Sequence, residues 1–420
     1  MGLLLKDPLH DQFACWALGY APYGGADAGE VVAIARVIAD GDDSAYYDAW
    51  TAAADRLVEE GDACLGKGQR RSAREFYLHA ASFFSFSYRP LFGEPVDSRL
   101  PAAFRKQMNA FDKAMTLSEP LIERLQIPFE STTLPGYLMR AIGHEGERRP
   151  LLISTNGYDA SVSDMFFATG VAAAQRGYHC LMFDGPGQGA VLIEQGIRLR
   201  PDWENVVGPV VDFALTLPNI DVDRIALTGW SLGGYLAPRA ASGEHRLAAC
   251  IADPGNWGIG PGVRQFALGF GLSQAEADAF PNLDEGTLQR ISDTISADRR
   301  LRWSIIQRGF WVNGVSTLGD YVLSGEQFTL EGRVEKIRCP TLITSTDRDP
   351  LARRAQSLYD ALTCPKTILH FTAAEGAGDH VEIMNRTLLN RRVFDWLDGV
   401  FKAKSPKRVM LLRTSREILS

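Results

Sequence analysis

Two textures of hydrophobic spacing divide the chain. Between positions 31 and 118 apolar residues recur every third or fourth place, as in AYYDAWTAAADRLVEEGDACLGKG and QRRSAREFYLHAASFFSFS. Such spacing gathers them on one stripe of a helix, so this stretch is predicted helical throughout, with two helices meeting at Gly66 and Gly68. The pair has the outline of one tetratricopeptide unit, but a solenoid needs about three repeats to bury its faces, and no second copy is present. The segment 1–120 therefore reads as a helical cap.

From Leu121 short apolar runs alternate with turns and helical patterns. PLIERLQIPFE and TTLPGYLMRAI predict an antiparallel pair, and PLLISTNGYD, YHCLMFDGPGQG, RIALTGWS, LAACIADPG, CPTLITSTDRDP and KTILHFTAAE predict buried strands. Helical stretches lie between most of them, and VEIMNRTLLNRRVFDWLDGVF follows the last. Strand and helix in alternation imply an α/β fold whose mostly parallel sheet is covered on both faces. The alternation breaks between Pro254 and Lys336, where FALGFGLSQAEADAF and TLQRISDTISADRRLRWSIIQRGF predict helices. This gives a core over 121–401, a helical insertion over about 255–335 at the sheet's C-terminal edge, and a basic tail at 402–420 docked through Val409, Met410 and Leu411.

Composition narrows the class without naming it. The 420 residues are 45% hydrophobic and 23% charged, the balance of a folded water-soluble chain. A net charge of -7 supplies no basic field to gather nucleic acid. No apolar run reaches about 18 residues, so no membrane span is expected. MGLLLKDPLH has too short an apolar run for a signal peptide, and a cytoplasmic location is expected. The six cysteines contain no Cys-x-x-Cys and read as free thiols.

In an open α/β sheet the chemistry sits just past the carboxyl ends of the strands. Gly229-x-Ser231-x-Gly233 follows the RIALT strand and opens a helix, the setting of a strained nucleophile turn. A serine hydroxyl needs a base to take its proton and an acid to orient that base. Of the seven histidines, His380 alone falls in a glycine-rich loop, EGAGDHVEI, between the final strand and the final helix. The strand CPTLITST ends in two aspartates, and Asp349, directly before Pro350, is the stronger candidate over Asp347. Asp253, after LAACIA, is read as a pocket residue. Backbone N–H groups of Leu232 and of Tyr158, in the TNGYD turn, are the candidate oxyanion donors. Asp159, Gln188, Trp230, Trp257 and Trp311 join Asp253 as candidate substrate contacts.

Cofactor motifs fail on spacing. Gly185-x-Gly187-x-Gly189 lacks the dinucleotide pattern, DGDD at 40–43 lacks the glycine and glutamate of a calcium loop, and there is no His-Glu-x-x-His. Neither a cofactor nor a metal is expected.

FDGPGQG, GWSLGGYLAPRAA, CPTLITSTDRDPL and GAGDH together resemble the α/β-hydrolases, and more narrowly their FrsA-like branch with a helical N-terminal cap. That branch includes 2,6-dihydroxypseudooxynicotine hydrolase and the fungal yellowish-green-type hydrolases that shorten polyketides. The resemblance implies Ser231 as nucleophile, Asp349 as acid and His380 as base. It also implies a small aromatic or polyketide-like carbonyl substrate, cleaved at an ester or at a carbon–carbon bond beside a ketone. Two departures are visible: ITSTDRD lacks the His-Gly often found before the acid, and TNGYD stands where many relatives have His-Gly-Gly-Gly. The rival readings are an acyltransferase or cyclase using the same three residues, and a silent binding protein on a hydrolase scaffold. A homodimer through the helical N-terminal region is a further expectation.

Overall fold

The strands are β1 (Glu123–Phe129), β2 (Thr132–Met139), β3 (Arg149–Thr155), β4 (His179–Phe183), β5 (Ile220–Trp230), β6 (Ala249–Asp253), β7 (Thr341–Thr346) and β8 (Lys366–Phe371). They form one sheet in the order β1-β2-β4-β3-β5-β6-β7-β8. The pairs β1/β2 and β2/β4 are antiparallel and the rest parallel. This computed structural model describes residues 2–260, 268–269, 271–279 and 282–404.

Strand burial explains the sequence texture. Every residue of β4 (HCLMF) and β6 (ACIAD) is buried, because helices cover both faces of the parallel interior and leave no solvent side to demand alternation. At the edge, β8 is mostly half-buried and carries Lys366 and His370, polar groups that blunt an unpaired strand.

Five helices precede the sheet: α1 (Pro8–Tyr20), α2 (Ala28–Ile38), α3 (Asp43–Gly66), α4 (Arg70–Ser87) and α5 (Arg99–Thr116). The helical pattern from position 31 accounts for α2 to α5. Helix α1 lies outside that expectation although its signals are local: the Asp7 carboxylate accepts from the N–H groups of Leu9 and His10, and Pro8 stands in the first turn. Leu9, Phe13 and Tyr20 are buried. A fully buried ion pair joins the helices to the core. Arg89, just past α4, meets Asp164 at 3.0 Å with both side chains 1% exposed, and Asp164 also accepts from Ser85 and Tyr20. A buried pair this well hydrogen-bonded fixes orientation more than it adds stability.

Three expected helices differ in detail. MFFATGVAAAQRG is interrupted by a π turn at Phe166–Gly170, where a side chain on Gly170 would lie 2.7 Å from the Met182 sulfur. The final helix starts at Arg386 and not at Val381, because Val381 and Glu382 hold left-handed backbone (φ 52° and 49°) inside the turn His380–Asn385. The expected helix 287–310 breaks at Asp298, whose carboxylate caps a new start by accepting from Arg300 and Leu301. FALGFGLSQAEADAF is described only in part, with a helix at Gln274–Ala279, and Val409, Met410 and Leu411 lie outside the described residues. Among the described residues no helix is long and apolar enough to cross a membrane.

Candidate active site

Ser231 follows the last residue of β5 with φ of 61°, a left-handed conformation that costs a non-glycine residue about 1–3 kcal/mol. Its neighbours make that turn feasible. A Cβ on Gly229 would sit 1.9 Å from the Gly233 carbonyl oxygen, and one on Gly234 would sit 1.9 Å from that of Pro254. The Ser231 N–H donates to the Asp253 carbonyl at 2.7 Å, and the helix Gly233–Ala241 departs directly. The turn thereby lifts the hydroxyl above the sheet edge.

His380 comes to that hydroxyl from the loop after β8. Its Nε2 lies 2.9 Å from Ser231 Oγ, and its Nδ1 lies 2.7 Å from Asp349 Oδ2. An ionised carboxylate only accepts, so Nδ1 carries the proton and Nε2 is free to receive one. Burial works against charge on Asp349, but the His380 charge and hydrogen bond, with the N–H groups of Leu351 and Val381, outweigh it and hold the carboxyl below its usual range. On His380 burial likewise opposes the charged form. The carboxylates of Asp349, Asp159 and Asp253 prevail and raise it above the usual histidine value. Asp347 faces away: it is exposed, bonded to His370 at 2.9 Å and to the Ala373 N–H at 2.7 Å.

The two nominated backbone donors lie beside this pair. A Cβ built on Gly157 would fall 2.8 Å from Ser231 Cβ and 3.2 Å from the Leu232 nitrogen, so the Tyr158 turn runs against the start of the helix that follows Ser231. Among the described residues neither the Leu232 nor the Tyr158 N–H donates to a protein acceptor. Such unspent donors suit an oxygen that gains negative charge during reaction.

The six proposed substrate contacts separate on geometry. Asp159 is near the site, with its side chain 6% exposed and paired with Arg308 at 3.2 Å. Trp311 is buried, packs edge-on against Phe92, and lines a small cavity with Tyr158 and Asp159. Gln188 is spent internally: its amide donates to the carbonyls of Asn156 and Gly157 and accepts from the Gly185 N–H. It therefore braces the Tyr158 turn. Asp253 is likewise engaged from below, by Thr344 at 3.0 Å and Arg386 at 3.3 Å, and Arg386 also lies 5.7 Å from the Trp230 ring. Trp257 carries the Arg354 guanidinium at 5.3 Å, and no described contact joins it to Ser231 or His380.

Sequence reasoning missed the aromatic neighbour of His380. Trp16 of α1 stacks obliquely beside its ring, and Phe13 packs on Trp303, whose indole N–H donates to the Arg89 carbonyl at 2.7 Å. Arg308 lies over the rings of both Tyr158 and Trp303. The Asp7-Pro8 start and apolar spacing could have revealed α1, but no local signal says where it docks. Among the described residues, the one group of ligand-type side chains close enough to share an ion is Asp27, Glu30 and His79, which caps α2 and touches none of these residues.

An eight-stranded, mostly parallel sheet with a serine on a left-handed turn after β5 defines an α/β-hydrolase. The chain belongs to the Alpha/beta hydrolase family, whose model matches residues 151–386. Hydrolase acrC from Aspergillus aculeatus is 33% identical over 416 residues, covering 92% of this chain and 95% of its own. The 20-hydroxy-prefusarin hydrolase FUS2 of Gibberella moniliformis is 31% identical, covering 92% and 95%. Among solved structures, 2,6-dihydroxy-pseudo-oxynicotine hydrolase superposes with a TM-score of 0.71 over 92% of this chain and 96% of its own, at 22% identity. The likeness thus extends through the N-terminal helices as well as the sheet. The protein is an enzyme of the hydrolase class.

Proposed function

We propose that the enzyme is a serine hydrolase that cleaves an ester, or a carbon–carbon bond beside a ketone, in a small polyketide-like or aromatic compound. One observation carries the reading: the contact chain from Ser231 through His380 to the buried Asp349. His380 takes the Ser231 proton as Oγ bonds to the substrate carbonyl carbon, and the carbonyl electron pair moves to oxygen, against the Leu232 and Tyr158 N–H groups. The tetrahedral intermediate collapses as His380 returns that proton to the departing oxygen or carbon, leaving an acyl group on Ser231. Water, deprotonated by His380, then releases the acid. Trp16, packed beside the His380 ring, supports an apolar substrate with ring character, and the 20-hydroxy-prefusarin in the name of FUS2 supports a small metabolite.

The test is covalent trapping. A fluorophosphonate is expected to add its phosphonyl group to Ser231, readable by peptide mass spectrometry, and to add none in Ser231→Ala. Labelling elsewhere with Ser231 untouched would end the serine mechanism. Supplying an alcohol acceptor with an activated aryl ester separates hydrolysis from acyl transfer, with free acid expected as the main product.

A further inference from the structure

Beneath the strained serine lies a buried polar cluster that the mechanism above does not use. Asp253 ends β6 beside Trp230, and its carbonyl accepts the Ser231 N–H. Its carboxylate accepts from Thr344 of β7 and from Arg386 of the final helix. Arg386 Nη1 spans the Asp253 carboxylate at 3.3 Å and the Val381 carbonyl at 2.7 Å, which brings the residue after Val381, Glu382, to that carboxylate, the charge that acts on it most strongly. Glu382 has no exposed surface, and among the described residues neither of its oxygens accepts from an N–H or O–H group.

Neighbouring carboxyl groups in a buried site strongly disfavour a second negative charge, so one of the two holds a proton. Asp253 has donors that stabilise its charge, whereas Glu382 has none of its own. The proton therefore belongs to Glu382. Burial and the Asp253 charge both raise its pKa well above the glutamate range, with Asp349 adding to the shift and Arg386 opposing it. Among the described residues these three are the charges that act on it most strongly, from β6, the loop after β7 and the final helix.

Position turns this pair into machinery. Glu382 is two residues past His380, and both Val381 and Glu382 hold left-handed backbone that a branched or long side chain adopts only under constraint. Arg386 fastens the same kink by donating to the Val381 carbonyl at 2.7 Å. We infer that Glu382 is a positioning residue: as a neutral carboxylic acid it donates a hydrogen bond to Asp253, holding the kink that aims His380 at Ser231. The inference rests on the serine mechanism proposed above. Losing the proton would set two carboxylates against each other and release the loop.

The test measures the rate of Ser231 labelling by a fluorophosphonate against pH, alongside infrared spectra of the same proteins. Glu382→Gln keeps a donor for Asp253 but cannot titrate, so it should label at close to the wild-type rate at pH 7 and lose the alkaline fall in rate. Glu382→Ala should label roughly a hundredfold more slowly, the scale of a misplaced catalytic group. At pH 7 the protonated-carboxyl stretch should lose one component in Glu382→Gln, read as the wild-type minus variant difference, while the contribution of Asp184, whose pKa burial lifts to about 7, stays in both. A wild-type band unchanged by Glu382→Gln overturns the inference, even where Glu382→Ala fails to fold. So does an alkaline limb retained in Glu382→Gln. A wild type that never labels at Ser231 would sink the serine mechanism instead, and the infrared band would still decide the state of Glu382.

Discussion

The ring of Trp16 lies 5.8 Å from that of His380, centroid to centroid, with 31° between their planes. A residue in the first helix thus packs beside an imidazole supplied by the last loop, and Trp16 is 8% exposed. Replacing it with alanine removes an aromatic wall and admits water beside the imidazole. Trp16→Ala is expected to lower kcat/KM for an aryl ester by about tenfold, near the 1–1.5 kcal/mol of an aromatic contact. Trp16→Phe should recover most of it; an alanine variant with wild-type kinetics would remove Trp16 from the site.

The two aspartates after β7 should behave oppositely. Asp349 is buried on His380, so Asp349→Asn, which disturbs the tautomer, should cut the rate by about 10⁴-fold. Asp347 is exposed and partners His370, so Asp347→Asn should stay within about twofold. Stopped-flow acylation of both variants distinguishes them.

The same contact sets a pH dependence. A general base works only as neutral imidazole, and the His380 value is raised mainly by Asp349 against the pull of burial. Activity should therefore fall as pH drops through a point above the ordinary histidine value of about 6.5. In Asp349→Asn burial remains and the largest raising charge is gone, so that limb should move to lower pH. A limb that stays in place would assign the titration to another group.

Gly157 offers a probe of the oxyanion donors. An added methyl would lie 2.8 Å from Ser231 Cβ and from the Trp230 carbonyl, and 3.2 Å from the Leu232 nitrogen. Gly157→Ala should cost about 10²-fold or more in kcat, the scale of one lost oxyanion donor. Substrate affinity should change far less.

Asp184 should leave its mark on stability. It is fully buried, accepting from Asn156 and the Ala190 N–H, and burial lifts its pKa to about 7. The native state therefore keeps a proton that the unfolded chain releases near pH 4. Its contribution is full below that point and is lost as pH rises through 7. Asp184→Asn should flatten the fall in urea midpoint across this window; an unchanged slope would refute the assignment.

The amino-acid sequence alone determined the order of the strands and of most helices, because burial on both faces writes unbroken apolar runs and amphipathic helices write their own period. It also nominated Ser231, Asp349 and His380, since each stands just past a strand beside the glycine or proline its turn requires. Tertiary structure decided the rest. Trp16 meets His380, Glu382 meets Asp253, and Gln188 braces the Tyr158 turn through contacts between residues far apart in the chain, which no local spacing records. Even the start of the final helix moved, from Val381 to Arg386. Local pattern favours helix there, but the buried partners of Glu382 and Arg386 hold a left-handed kink in its place.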